Sequence, residues 1–324
     1  MGKNFDAICI GAALIDIMSQ VERHPLEDDE VFVSELKLMS GGAAANTAYD
    51  CAKLGLRTAF IGKIGLNDTF SIKILSDFKD VNVNATFIKY TTDYGTGSAY
   101  VALDKNGDRR IYAHSGAANY LSKNDIKPNE ITQAKIMFLS SLKNIEPFLE
   151  AARISRENNI PVILNPGMLI IDQGLNKITE LLNRVDVFIL SRREFKILLS
   201  IPEDLNENVI KKNAELFWNL GIKVVIITLG KDGAFLLIKN CSELIPSIVV
   251  KKVIDTTGAG DAFSAGFIFG FVKNLSYKFE DLKKCVKIGN FVAGNCVQEL
   301  GARNGIPTEK EISVFYSNLK PKTL

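Results

Sequence analysis

The sequence predicts an α/β fold, a parallel sheet with helices on both faces, from three observations. Strand-like runs alternate with helix-like segments through most of the 324 residues, the order that stacks helices on a parallel sheet. The longest apolar stretches, such as 185–190 and 224–229, are strand-sized. Two stretches, 13–39 and 95–115, break the alternation with short alternating runs. They are too short for cores of their own and are expected to pair into one small sheet beside the main domain.

Taken in order, residues 5–10 read as a buried strand, and 43–54 as a helix closed by Gly55. A strand follows at 58–64 and a helix at 68–79. Then come a strand at 136–140, a helix at 145–158, a strand at 162–164 and a helix near 175–182. The strand 185–190 leads to a helix from Arg193, a helix at 209–220, and strands at 224–229 and 234–239. A β-branched run, Ile248-Val249-Val250 to Val253-Ile254, reads as a strand feeding a glycine turn, with helices after it at 260–273 and 280–299. Within the second break, Asp104-Lys105-Asn106-Gly107-Asp108 is the turn of a hairpin. The division is therefore 1–12, 40–94 and 116–324 for the main domain, and 13–39 with 95–115 for the small sheet.

Composition narrows the function. Lys+Arg 39 against Asp+Glu 37, with no long basic run, argues against nucleic acid as partner. No apolar run nears the roughly 18 residues of a membrane span, and the N-terminus lacks a secretory pattern. A cytosolic, membrane-free protein is expected. Five scattered cysteines without CxxC spacing, and only His24 and His114, make a zinc site improbable.

The most informative stretch is Asp255-Thr256-Thr257-Gly258-Ala259-Gly260-Asp261. A glycine turn entering a helix aims several backbone N–H groups at one small volume, and the helix terminus adds about half a positive charge. That suits an oxyanion, most often phosphate. Asp261, in the first helical turn, could take a proton from an attacking hydroxyl, so anion cradle and base together suit phosphoryl transfer to an alcohol. The weaker reading of the stretch taken alone is an N-capping turn with an acidic first residue. As an ordinary carboxylate, Asp261 is expected to titrate near about 4 and to be ionised at neutral pH.

Other stretches add to this. In GGAAAN, residues 41–46, Gly41 and Gly42 open a helix and Asn46 sits one turn in. The glycines admit a ligand close to the backbone and the amide suits sugar hydroxyls, although a packing turn reads as well. Asp16 could accept two polyol hydroxyls, although alone it reads better as a solvated loop acid. Thr228, Gly230 and Gly233 surround Lys231 after a strand, in a loop that could hold nucleotide phosphates or simply be a hairpin turn. Glu194, just past a strand end, could hold Mg²⁺ through water, an exposed helix-start glutamate being the default. Ala262, Gly266 and Gly270 recur every four residues and read as a face packed closely on the sheet. There is no Walker-type GxxxxGK[ST], and Gly11-Ala12-Ala13-Leu14 is no dinucleotide fingerprint, which excludes a nucleotide-cofactor dehydrogenase.

With these residues in view, the chain resembles the ribokinase-like (PfkB-type) carbohydrate and nucleoside kinases. GGAAAN matches the first family signature and DTTGAGD with Ala265-Gly266 the second, and the order of motifs agrees from Gly11 to Pro307. The resemblance implies a three-layer α/β/α domain with a β-sheet lid formed by the two insertions, which closes over the substrate and pairs two subunits. It implies ATP-dependent transfer to a primary hydroxyl of a sugar, with a nucleoside as the alternative. A non-catalytic sugar or nucleoside sensor is the alternative from another class. By analogy Asp261 is the general base, and Gly258, Ala259 and Gly260 form the anion hole. Asp16, Gly41, Gly42 and Asn46 hold the substrate. Thr228, Gly230, Gly233 and Asn290 face ATP, and Glu194 serves Mg²⁺. Asp255, with carbonyls of the 297–305 loop, would hold a monovalent cation such as K⁺.

The chain also departs from the pattern. The family's Asn-x-x-Glu appears as Ser191-Arg192-Arg193-Glu194, an Asn two residues before the lid Asp is Leu14, and a strand-edge Glu is Ser141. The last two argue against ribose itself, and the leucine is similar to adenosine-kinase-like members. Asn165-Pro166-Gly167 and the single hairpin look more like sugar kinases.

Overall fold

The structure, a computed structural model, describes residues 3–106 and 108–319. Gly107 of the hairpin turn, and residues 1–2 and 320–324 of the main-domain range, lie outside the described residues. The strands are β1 (Phe5–Gly11), β2 (Leu14–Val21), β3 (Val33–Gly41), β4 (Thr58–Ile61), β5 (Lys63–Gly65), β6 (Lys89–Thr91), β7 (Thr96–Leu103), β8 (Arg109–Gly116), β9 (Ala134–Ser140), β10 (Val162–Asn165), β11 (Val187–Ser191), β12 (Val224–Thr228), β13 (Ala234–Ile238) and β14 (Cys241–Ile245). The helices are α1 (Ala43–Lys53), α2 (Thr69–Asp80), α3 (Pro128–Ile131), α4 (Glu146–Glu157), α5 (Met168–Ile171), α6 (Leu175–Leu182), α7 (Arg192–Leu198), α8 (Glu207–Asn219), α9 (Ala259–Phe271), α10 (Phe279–Cys296) and α11 (Glu309–Asn318).

Eight strands form the main sheet in the order β14-β13-β12-β11-β10-β9-β1-β4. The six from β12 to β4 run parallel, and at one edge β13 pairs antiparallel with β12 and β14 antiparallel with β13. Side chains alternate across the pleat, so one strand feeds two cores. Cys9, Phe138, Ile189 and Ile226 pack with residues of α1, α2, α9, α10 and α11. Ile10, Leu139, Leu190 and Ile227 pack with α4, α6, α7 and α8. Burial on both faces explains why these strands read as continuous apolar runs.

The parallel strands end together at Gly11, Ser140, Asn165, Ser191 and Thr228, and the carboxyl edge of such a sheet is where ligands bind. Beside that edge lies a four-stranded sheet in the order β3-β2-β7-β8. β2 and β7 pair in parallel, so Asp16 faces Ala99, while β3 and β8 are its antiparallel flanks. Among the described residues, no helix is long and apolar enough to cross a membrane.

The structure corrects four expectations. The run at 58–64 is two strands: β4 stays in the main sheet, and β5 leaves it at Gly62 to pair with β6. Residues 248–254 are not a strand. The backbone N–H groups of Ile254 and Asp255 bond instead to the Val297 carbonyl at the end of α10, and Val249 is fully exposed. The edge strand before the turn is β14, whose mixed sequence hid it. Finally, Gly266 and Gly270 face α10 rather than the sheet: a Cβ on Gly266 would lie 2.8 Å from the Ile288 carbonyl oxygen, and one on Gly270 3.1 Å from Cys285 Cα.

Candidate active site

The glycine turn is held from both sides. Gly258 has φ +76°, and a Cβ there would stand 2.4 Å from Ala302 Cβ, so only glycine fits. Asp255 Oδ1 accepts from the Thr257 backbone N at 2.9 Å and from Thr257 Oγ1 at 2.7 Å, while Oδ2 accepts from the Gly301 backbone N at 2.9 Å. This carboxylate therefore ties the turn to the 297–305 loop, and a cation beside it would have to share those oxygens. α9 starts at Ala259, and a Cβ on Gly260 would meet nothing within 4 Å. The first turn of the helix thus opens into free space.

That space is a cavity of about 660 Å³. Ala259 and Gly260 form one end of it. Thr228, Gly230 and Gly233 from the β12–β13 turn and Asn290 from α10 line it as well, with the apolar wall of Ile248, Val249 and Val250. The turn is both a hairpin, with the Leu229 N–H bonded to the Gly233 carbonyl at 2.8 Å, and a cavity wall. Asn290 is buried, and its Nδ2 donates to the carbonyls of Ile245 at 3.1 Å and Pro246 at 2.9 Å. Its amide N–H groups thus fix the loop that carries the apolar wall.

Asp261, in the first turn of α9, sits next to this cavity. Its Oδ2 accepts a hydrogen bond from Asn46 Nδ2 at 2.9 Å. Burial pushes its pKa up to about 7; the Asn46 hydrogen bond and Arg303 oppose the rise, while the Asp16 and Glu194 carboxylates add to it. This corrects the expectation of an ordinary value near 4: three acids gather where the chain has withdrawn them from water.

Gly41 ends β3 beside Asp16 of β2, and Gly42 and Asn46 open α1, whose Asn46 reaches Asp261. Leu14 and Asp16 share one face of β2, and a Cβ on Gly41 would lie 2.3 Å from Asp16 Oδ2 and 3.2 Å from Leu14 Cδ1. Gly42, at φ +93°, precedes α1, and a Cβ there would meet the Ala12 carbonyl oxygen at 2.4 Å. Asp16 is raised to about 6 by burial, with Arg303 pulling it down.

Glu194 is 8% exposed rather than open to solvent. It closes a capping box: the Ser191 backbone N donates to Glu194 Oε2 at 2.7 Å, and the Glu194 backbone N donates to Ser191 Oγ at 3.2 Å. Serine in place of asparagine thus serves as the N-cap of α7, and orients Glu194 near Asp261. Among the described residues, no cluster of three or more His, Cys, Asp or Glu could hold a metal.

Sequence reading missed Arg303. It is 8% exposed, its guanidinium lies 4.8 Å from the Tyr49 ring centre, and its Nε donates to Asn46 Oδ1 at 2.9 Å. Nothing in its local sequence marks it.

The geometry is thus a carboxylate in the first turn of a helix, next to a large cavity with an apolar wall and hydrogen-bonded to Asn46 of α1. The pfkB family carbohydrate kinase model matches residues 4–309. The chain is 31% identical over 309 residues to a ribokinase of Staphylococcus aureus, covering 94% of this chain and 98% of that one. An uncharacterized sugar kinase of Archaeoglobus fulgidus is 32% identical over 258 residues, 79% of this chain and 97% of its own length. The structure of Arabidopsis thaliana ribokinase complexed with ribose and ATP superposes with a TM-score of 0.85 at 26% identity, covering 98% of this chain and 99% of that one. Matched over nearly its whole length in sequence and fold, the chain belongs to the pfkB family of carbohydrate kinases.

Proposed function

We propose that this phosphotransferase moves the γ-phosphate of ATP to a primary hydroxyl of a sugar, with Asp261 as the base that takes the hydroxyl proton. One observation carries the reading: Asp261 directly follows Gly260, which lines the 660 Å³ cavity, and accepts a hydrogen bond from Asn46 of α1. ATP fits the cavity, with its base against the apolar wall and its phosphates toward the start of α9. The positive end of α9 and the N–H groups of Gly258, Ala259 and Gly260 stabilise charge developing on the transferred group. Asp16, Gly41, Gly42 and Asn46 hold the acceptor so that its hydroxyl reaches Asp261.

Mg²⁺ would be served through water by Glu194, whose capping box fixes its direction, and would neutralise phosphate charge. The four-stranded sheet of β2, β3, β7 and β8 acts as the lid that excludes water as a competing acceptor. Its exposed Leu36, Ile111 and Tyr112 suit pairing with the lid of a second copy.

A nucleoside is the second reading, favoured by Leu14: it lies on the same face of β2 as Asp16 and offers an apolar wall to a base. ADP release with ribose, fructose, ketodeoxygluconate, inositol, adenosine, cytidine and inosine tests both. The expected outcome is a sugar as fastest acceptor. A nucleoside leading the panel moves the assignment to the second reading, and binding of any member without ADP release contradicts both.

A further inference from the structure

We propose that Arg303 is a positioning residue of the phosphoryl-transfer site, acting on Asp261 through Asn46; this rests on the reading of Asp261 as the base. The three side chains are joined end to end. Arg303 Nε donates to Asn46 Oδ1 at 2.9 Å, and Asn46 Nδ2 donates to Asp261 Oδ2 at 2.9 Å. An arginine side chain can only donate hydrogen bonds. It therefore holds the amide oxygen of Asn46 toward itself and turns the amide NH₂ toward Asp261. Without Arg303 the amide is free to turn over, and its oxygen would then face a carboxylate that must stay ionised to act.

The guanidinium is itself fixed from several elements. It lies over the rings of Tyr49 on α1 and Phe78 on α2, at 4.8 and 5.9 Å, and its Nη1 stands 3.8 Å from Asp77 Oδ2. Lys53 Nζ donates to its backbone carbonyl at 3.2 Å. The other groups that act on Asp261 from neighbouring elements are acids or a thiol: Asp16 on β2, Asp50 on α1, Glu194 on α7 and Cys296 on α10.

Four variants test this: Arg303→Met, Arg303→Lys, Asn46→Ala and the Asn46→Ala/Arg303→Met double, read as ADP release from MgATP with the fastest acceptor of the panel above. Arg303→Met is expected to lower kcat roughly 10–100-fold, the scale of a misplaced catalytic group, with KM for ATP within about twofold. Lysine keeps the charge but lacks the planar fork, so Arg303→Lys is expected to lose about tenfold. The double variant should be no slower than Asn46→Ala alone, because the effect passes through Asn46. Losses that multiply overturn the proposal. If Arg303→Met does not fold, Arg303→Lys decides: a kcat loss under about threefold with an unchanged Tm overturns it. Asp261→Asn separates the two readings. If it keeps turnover, the base assignment falls; if it is inactive while Arg303→Met or Arg303→Lys turns over normally, only the role of Arg303 falls.

Discussion

Asn46 and Asp261, 215 residues apart in the chain, meet at 2.9 Å with the amide N–H donating to the carboxylate. The contact joins the first turn of α1 to the first turn of α9, beside the large cavity. Replacing the base while keeping its shape separates chemistry from binding. Asp261→Asn should lower kcat roughly 10²–10⁴-fold and leave ATP affinity nearly unchanged. Steady-state kinetics with nucleotide titration checks this, and near-full turnover would remove Asp261 from the mechanism.

The pH profile should carry the same residue. With its pKa pushed up to about 7, chiefly by burial, Asp261 is protonated below that pH and cannot accept the hydroxyl proton. kcat/KM should therefore rise about tenfold per pH unit on the acid side and level off above about 7. Rates measured from pH 5.5 to 9 test it. A plateau already reached at pH 6 would contradict the assignment.

Asp50 offers a stability test away from the chemistry. It is fully buried, neither carboxylate oxygen has a hydrogen-bond partner among the described residues, and burial raises its pKa well above the ordinary value, with Asp261 adding to the rise. The folded state then keeps this proton to a higher pH than the unfolded chain, so its contribution to stability declines as pH rises above about 4. Asp50→Asn removes the titration, and its Tm relative to the parent should be more favourable at pH 8 than at pH 5. Equal differences at the two pH values would rule this out.

Gly258 should tolerate no side chain. At φ +76°, with Ala302 Cβ 2.4 Å from any added Cβ, Gly258→Ala combines backbone strain with overlap. It should destabilise the protein by roughly 2–4 kcal/mol, measurable by urea unfolding, and reduce turnover where the folded form persists.

The nucleotide end can be probed by volume. Ala293 lines the large cavity, and Ala293→Phe should raise KM for ATP roughly tenfold, since filling a preformed pocket removes contact area from the ligand. KM for the acceptor should stay within about twofold. A selective rise in acceptor KM would place ATP elsewhere.

Much of the scaffold was legible because its signals are local. The 3.6-residue period gave the helix 175–182 with the bounds seen in α6, and the glycine turn announced α9 within a residue. Failures arose where a distant partner decides. β-branched residues at 248–254 have strand propensity, but their neighbours are α10 and a cavity, so propensity lost to context. Gly62 divides β4 from β5 because the backbone changes sheets there. Glu194 looked like a surface glutamate until its capping box and 8% exposure became visible. Asp261 carried no sign of its raised pKa, which comes from burial and from acids on β2 and α7. Arg303 had no motif because its meaning is a contact made 257 residues away.

That wide spacing bears on synthesis. A nascent chain leaving the ribosome presents Asn46 early, yet Asp261 follows much later and Arg303 later still. On the proposed assignment, phosphorylating competence must wait until Arg303 has been made, and shorter polypeptides that fold only their leading portion would not turn over ATP.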